Sequence, residues 1–549
     1  MNMLIYGILL IFLSILLLLI NLYMIMIQKI IILEWMIYQF NSMKFNMFLL
    51  IDEFMLNFMM LILIITSMVV IYSLTYMNME LNLMKRFYLL LMLFVMSMCL
   101  MIISPNMLTI LLGWDGLGLI SYCLVIFYQN LNSYNAGMLT VILNRIGDAS
   151  LLMLICLMMS FGSWNLLLYK MNNYMLFLMI IMTFTKSAQL PFCSWLPAAM
   201  MAPTPISALV HSSTLVTAGV YMLIRYNNLL SLSLNKLILL ISSLTMLMAG
   251  MIANFEMDFK KIIALSTLSQ LGFMMSILSM KLIYMAYLHM IIHAMFKSLM
   301  FLCVGSYIFM MNGSQNLQNY GGMFKIYSFK NFIMMFSLLS LCGFPFLVGF
   351  YSKDLIMEEF FFLKLNMLSL FNLMLGTMFT VSYSFRLIIM VFTLNYLKFK
   401  LLNYNKDFKM NMCMFILMII SMIYSKMYFN MKFLDLNLML DMLMKLMVLK
   451  LIILGMIFNK WIMQYLKYFY MNYYMIMFNS MMFLNNFYKY IYLNPLLMLS
   501  KYDLIIEKNL MENFMSMLFI LFKYFNFKYY MNLLNMLIFF MFIIMIYLI

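Results

Sequence analysis

Ten ionisable residues of this 549-residue chain stand in stretches that otherwise look made for lipid. Asp115 lies in LLGWDGLGLISYCLVIF, and Arg145 and Asp148 lie in NRIGD. Lys186 lies in TFTKSAQLPFCSW and His211 in ISALVHSSTLVTAG. His289, His293 and Lys297 lie in AYLHMIIHAMFKSLMF, and Lys353 and Asp354 lie in LVGFYSKD. An ionisable group at the bilayer centre costs about 2.5–3.5 kcal/mol on insertion scales. Such a series therefore points to function. Burial moves a lysine downward and a carboxylate upward, so both can exchange protons near neutral pH.

His289, His293 and Lys297 are spaced i, i+4, i+8. Successive members turn only about 40° around a helix of 3.6 residues per turn, so all three share one stripe. A single buried histidine reads first as a satisfied core residue. Three titratable groups on one stripe favour proton handling. Metal ligation is the next rival. Zinc sites take three or four protein ligands, and no carboxylate or cysteine accompanies the pair. Haem–copper or bis-haem chemistry would need more than three histidines.

The proton reading gives each group a task. An Asp115 carboxylate near Lys186 raises the lysine's proton affinity. Withdrawing or neutralising that carboxylate lowers the affinity and expels a proton. A chain Lys186–His211–Lys297–Lys353, linked by water, would pass the proton along the midplane. Moving one proton against about 180 mV costs roughly 4 kcal/mol. A pKa swing of about 3 supplies that much.

The elements that must hold these groups are membrane helices. The chain is 67% hydrophobic and 9% charged, where a soluble globular protein is roughly 25% charged. Apolar runs of about 20 residues, enough to cross a hydrocarbon core, recur from end to end. The fold class read from this is an all-α polytopic membrane protein of about 15–16 helices. Helices are expected at roughly 3–25, 53–76, 86–104, 106–128, 136–160, 174–192, 204–226, 236–254, 260–279, 283–310, 331–350, 354–362, 368–394, 411–428, 440–460 and 528–548. A further short helix is expected over 28–40. The N-terminal MNMLIYGILLIFLSILLLLINLY reads as a membrane helix, not as a removed signal or an Arg-rich transit peptide.

Two segments are disturbed. The first is TFTKSAQLPFCSWLPAAMMAPTPIS, with prolines at 191, 197, 203 and 205. The second is LCGFPFLVGFYSKD, with Gly343, Pro345 and Gly349. Broken helices in corresponding places of two halves mark transporters with internal inverted repeats and a midplane ion site. The organisation read from this has N-terminal helices over 1–105, a five-helix repeat over 106–226 broken near 186–197, and a connecting segment 227–259. A second repeat over 260–394 is broken near 343–354. C-terminal helices over 395–463, a lateral amphipathic helix over 464–525 and an anchor helix over 526–549 complete it.

The net charge of +16 does not suggest nucleic acid. Much of the excess lysine lies beyond residue 395, among membrane segments, where Lys and Arg bind headgroups and bias topology. The seven cysteines are nowhere closer than Cys99 and Cys123. They read as buried apolar fillers, because clusters and structural zinc sites want grouped cysteines. The 77 methionines, with abundant Ile, Phe, Asn, Tyr and Lys, suit an AT-rich gene that reads AUA as Met. That points to an animal mitochondrial genome and to the inner membrane of the mitochondrion.

GWDGLGLISYCLVIFY, NRIGD, KSAQLPFCSWLPAAMMAPTPISALVHSSTLVTAGVY, MDFKKIIALSTLSQLGFM, HAMFKSLMF and GFPFLVGFYSKD stand in this order. In them the chain resembles the antiporter-like membrane subunits of mitochondrial NADH–ubiquinone oxidoreductase, respiratory complex I, over about residues 50–395. Sister subunits tend to carry a glutamate at the second break, so FYSKD favours the subunit 5 group. The resemblance implies that Asp115 serves the input half-channel, where many relatives have Glu, with Lys186 as its partner. It implies that Arg145 and Asp148 modulate the channel at the contact with a neighbouring subunit. It makes His211, together with His293 and Lys297 of the stripe that includes His289, the central relay, and Lys353 and Asp354 the exit pair. Asp258 and Lys261 receive no role. The implied partners are other complex I subunits, above all the neighbouring antiporter-like one, and membrane lipids. The chain itself would hold no cofactor, with NADH, FMN, iron–sulfur clusters and ubiquinone in partner subunits. A subunit of a multi-subunit sodium/proton antiporter and a non-pumping structural subunit are the alternatives.

Overall fold

The computed structural model describes residues 2–40, 43–77, 81–363, 366–393, 408–433 and 441–468, with short stretches between 477 and 516. Helix α1 (Asn2–Ile27) leads into two strands, β1 (Ile31–Phe40) and β2 (Met43–Ile51). There follow α2 (Glu53–Tyr76), α3 (Leu81–Ile103), α4 (Met107–Val125), α5 (Leu131–Met158) and α6 (Asn173–Lys186). Three short pieces come next: α7 (Trp195–Ala198), α8 (Thr204–Ile206) and a π-helical segment Ser207–Thr214 that runs on into α9 (Leu215–Tyr226). The second half holds α10 (Leu232–Ala253), α11 (Phe259–Ser279), α12 (Ile283–Met310), α13 (Met323–Ile326), α14 (Ser328–Cys342), α15 (Val348–Phe362) and α16 (Met367–Ile388). Then come α17 (Phe408–Phe433), α18 (Met442–Lys445), α19 (Met447–Tyr468) and α20 (Asn494–Ile505). Among the described residues twelve helices are long and apolar enough to cross a membrane, with α6 and α14 as shorter apolar helices.

The chain divides into two units, Met1–Met482 and Phe483–Ile549. Of the expected lateral helix over 464–525, the second unit provides α20, and α19 runs on to Tyr468 in the first. The rest of that stretch, apart from a few isolated positions, and the expected anchor helix 528–548 lie outside the described residues.

One expectation fails outright. The segment 28–40 is not a helix but the first strand of a hairpin, paired antiparallel from Ile31 opposite Ile51 to Phe40 opposite Met43. Gln28, with φ of 54°, stops α1. ILEWMIYQF is then rich in β-branched and aromatic residues that suit a strand. Apolar content alone does not separate strand from helix in so short a run.

The two breaks are sharper than expected. Helix α6 ends at Lys186 rather than near 192. In the second half the chain breaks over 343–347, so Lys353 sits inside α15. Gly343, with φ of 80°, terminates α14 in the left-handed region, where only glycine is free of steric cost. Helix α15 then crosses the end of α14 so closely that a Cβ on Gly349 would lie 1.8 Å from the Ser340 carbonyl oxygen.

Helices α9, α11 and α12 are buried along their whole lengths, while α1 is largely exposed. Helix α10 packs on α11 and α16, α5 on α6, and α12 on α17. Half-buried ion pairs tie the frame together. Arg225 of α9 meets Asp52 at 3.4 Å and donates to the Ile102 carbonyl at 3.0 Å. Asp52 also caps α2 by accepting from the Met55 N–H at 2.9 Å. Lys432 of α17 pairs with Glu53 at 2.7 Å.

The crossing at Gly349 yields a test. Gly349→Ala forces backbone apart and is expected to destabilise by several kcal/mol, at the upper end of overpacking costs of about 1–3 kcal/mol. The check is the amount of intact membrane assembly on a native gel and its thermal midpoint. An unchanged midpoint would contradict the close crossing.

Candidate proton-path site

The buried titratable groups collect in two clusters. The first is built on α4, α5 and α6. Lys186, in the last turn of α6, is fully buried, and its ammonium donates to the Trp114 carbonyl of α4 at 3.3 Å. It also stands 5.1 Å from the centre of the Trp114 ring, a cation–π distance. The glycines of GWDGLG make this approach possible. A Cβ on Gly118 would lie 3.4 Å from the Lys186 ammonium, and one on Gly113 would lie 2.7 Å from the Met101 backbone nitrogen of α3. The first glycine leaves room for the cation, and the other lets α4 lie against α3.

Asp115 and Lys186 do not form an ion pair. Arg145 of α5 holds both carboxylates instead, Asp115 at 3.7 Å and Asp148 at 3.3 Å. Asp148 is buried, whereas the Asp115 side chain is 37% exposed.

The second cluster is built on α11, α12, α14, α15 and α16. His289, His293, Lys297 and Lys353 line one cavity of about 20 Å³ with Gln270, Ser340 and Gly349 among its other walls. That is room for about one water. The ring nitrogens of His289 lie 3.0 Å from the Ser352 hydroxyl and 3.2 Å from the Gln270 carbonyl oxygen. Gln270 thus accepts the Nε2 proton, and Nδ1 accepts from Ser352. Lys297 donates to the Ser266 hydroxyl oxygen at 2.6 Å. Lys353 donates to Thr380 of α16 at 3.1 Å and to the Leu341 carbonyl at 2.8 Å. Leu341 lies in the last turn of α14, so the second cation sits at the negative end of a helix dipole. Neither ring nitrogen of His293 has a partner among the described residues, and the ring borders the water-sized space.

His211 belongs to neither cluster. It lies on the π-helical segment, with Trp195 edge-on at 6.3 Å and no hydrogen bond to either ring nitrogen among the described residues. Asp354 is half-buried on α15 and lies outside the cavity lining; the charge it feels is that of Glu358. Asp258 and Lys261 pair with each other at 2.7 Å. Among the described residues no group of three His, Cys, Asp or Glu side chains is placed to hold a metal ion.

Residues 104–380 match the family described as "NADH:quinone oxidoreductase/Mrp antiporter, TM". Residues 35–88 match "NADH-Ubiquinone oxidoreductase (complex I), chain 5 N-terminus". The NADH-ubiquinone oxidoreductase chain 5 of Aedes aegypti is 49% identical over 425 residues, 76% of this chain and 73% of that protein. The chain belongs to the NADH–ubiquinone oxidoreductase chain 5 family. Its match to the family member of Apis mellifera ligustica is 59% identical over 59% of this chain and spans 58% of that relative's length. Two solved structures share the fold. The Mrp complex from a Dietzia species aligns with a TM-score of 0.68 at 21% identity, over 83% of this chain and 53% of that one. The archaeal membrane-bound sulfane sulfur reductase aligns with 0.66 at 20% identity, over 81% and 93%.

For a chain 5 family member read from sequence, several site residues stayed hidden. Ser266, Gln270, Ser352 and Thr380 hold the second cluster, yet serine and threonine are commonplace in membrane helices. Their one signal is position: Gln270 and Ser266 share a face of α11 at i, i+4. Arg225 with Asp52 gave no signal, because their partnership spans 173 residues.

The geometry of the first cluster ranks its carboxylates. Asp148→Asn is expected to impair proton movement more than Asp115→Asn, because Asp148 is the buried group and the closer of the two to Arg145. Dye-quench measurements of pumping in vesicles carrying the intact assembly give the order, and the reverse order would contradict it.

Proposed function

We propose that this chain is a membrane-arm subunit of respiratory complex I that carries protons across the inner mitochondrial membrane. NADH oxidation and ubiquinone reduction take place in partner subunits, which hold FMN and the iron–sulfur clusters. The neighbouring antiporter-like subunit meets the face that bears Arg145 and Asp148. The chain then takes part in an NADH:ubiquinone reductase without a redox centre of its own. The two broken helices belong to two inverted five-helix repeats, 106–226 and 260–394.

The observation that carries this reading is the water-sized cavity edged by His289, His293, Lys297 and Lys353. A proton on one of the lysines reaches the other through one water and an imidazole. The two ammonium groups act on each other as like charges, so charging one favours release from the other. A buried like-charge pair shares its protons as a unit.

In the first cluster Arg145 decides how strongly the carboxylates act on Lys186. While it bridges Asp115 and Asp148 it offsets their charge. When it turns away, as its 47% exposed side chain allows, both carboxylates hold the Lys186 proton more firmly. Its return releases that proton toward His211, whose free ring nitrogens accept one and give up another. Lys297 lies next in the series, and Lys353 and Asp354 end it.

Two measurements test the reading. Gentle solubilisation of the native membrane should bring this chain down with inhibitor-sensitive NADH dehydrogenase activity. Lys297→Met, which keeps the apolar stem, should leave assembly intact and abolish the pumping carried by this chain, with NADH-driven turnover reduced. Migration apart from that activity, or normal pumping by the variant, would count against the proposal.

A further inference from the structure

Helix α16 carries three polar residues on one face at i, i+3 and i+6: Thr380, Tyr383 and Arg386. All three are buried. Thr380 accepts from Lys353 at 3.1 Å. At the other end Arg386 donates to the backbone carbonyls of Asn254 and Glu256. Those two residues lie on the loop between α10 and α11, so Arg386 marks the level at which the bundle gives way to its surface. Ser382 donates to the Asn254 side chain at 2.9 Å at the same end.

Tyr383 stands between these ends. Its hydroxyl faces Ser266, Ser269 and Gln270 of α11, yet holds no formed hydrogen bond to any of them. Its neighbours are already engaged with the relay. Ser266 accepts from Lys297 at 2.6 Å, and Gln270 accepts from His289 at 3.2 Å. A buried phenol left without a partner is costly, roughly 1–3 kcal/mol. Such a cost is a reason to look for a role. Arg386 is three residues on, about 4.5 Å further along the helix axis.

Building on the proton-carrying reading above, we propose that Tyr383 is a proton-relay residue joining the Lys297–Ser266 pair to the surface loop 254–258, with Glu256 at the mouth of that half-channel. The transfer is a chain of hops. An N–H bond of Lys297 breaks as an O–H bond forms on Ser266. Ser266 turns from the Ile263 carbonyl, to which it donates at 2.6 Å, and passes its own proton to the Tyr383 oxygen. Tyr383 gives its original proton to a water at the loop, and that water protonates Glu256. Every hydroxyl ends neutral, and only Lys297 and Glu256 change charge. Arg386 faces the same end and keeps its charge. It holds the loop against α16 and stabilises the Glu256 carboxylate until the proton arrives. Glu256 is 8% exposed. Burial pushes its carboxyl above the ordinary carboxylate range, as does Asp258, against the pull of Lys261 and Arg386. The Tyr383 hydroxyl, which has no well-formed hydrogen bond among the described residues, is therefore poised between the engaged Ser266 and Gln270, free to turn toward either.

The experiment uses the intact membrane assembly with three variants, Tyr383→Phe, Glu256→Gln and Lys297→Met. Tyr383→Phe removes one oxygen and keeps the ring. Transfer through this chain should slow roughly 10²-fold, the typical worth of a positioned proton-transfer group, with protons moved per NADH reduced and assembly unchanged. Glu256→Gln should remove the inflection that the wild type shows above the ordinary carboxylate range in the pH profile of pumping. Normal pumping by Tyr383→Phe overturns the inference, provided Lys297→Met is impaired. If Lys297→Met also pumps normally, the proton-carrying reading itself has failed. Should Tyr383→Phe not assemble, the Glu256→Gln profile decides: a profile identical to wild type overturns the inference, and a lost inflection supports it.

Discussion

Everything in this bundle follows from the cost of holding a cation away from water. An ammonium group inside an apolar medium survives only where oxygen atoms or opposite charge are brought to it. The structure supplies them by breaking or thinning its own helices. Lys353 reaches the carbonyl of Leu341 because α14 ends there. Lys186 reaches the carbonyl of Trp114 because Gly118 gives up its side chain. Lys297 takes a serine hydroxyl, and Lys260, equally buried, takes the Ala202 carbonyl at 3.1 Å in the proline-rich stretch. Each solution is neutral oxygen rather than a carboxylate in contact. A tight ion pair would fix the charge, whereas a carbonyl or hydroxyl keeps the lysine soluble in the protein and leaves it able to discharge.

The same constraint explains the frame around the site. Half-buried ion pairs, such as Arg225 with Asp52, stand where helices must stay together. In the candidate path two carboxylates share one arginine, with Arg145 3.7 Å from Asp115 and 3.3 Å from Asp148. The glycines serve both frame and site. At Gly349 two helix segments cross almost backbone to backbone, which closes the cavity from one side and leaves Lys353 facing into it.

The sequence made much of this legible. Asp115, Lys186, His289, His293, Lys297 and Lys353 announced themselves because each is costly in an apolar run. Pro191, Pro197, Gly343 and Gly349 announced the breaks by their backbone demands. What stayed hidden has a common physical cause: it depends on which helix faces which. Sequence spacing reports neighbours on one helix, so the His289–His293–Lys297 stripe could be drawn in advance. The pairing of Asp115 with Arg145 rather than Lys186 could not, since it rests on the rotation of α4 against α5 and α6. The hairpin at 31–51 was missed for a simpler reason. Isoleucine, tryptophan and tyrosine satisfy a strand as well as a membrane helix, and only the partner strand decides.

The space among His289, His293, Lys297 and Lys353 also acts as a sieve. About 20 Å³ admits one water and no hydrated metal cation. A sodium ion arriving there would first shed its shell, then meet two lysine side chains and two imidazoles, with few oxygens to replace the water it lost. A proton needs neither volume nor a shell, because it enters as a rearrangement of bonds already present. The discrimination between the two is therefore written into the size of one void, and enlarging that void would be the way to relax it.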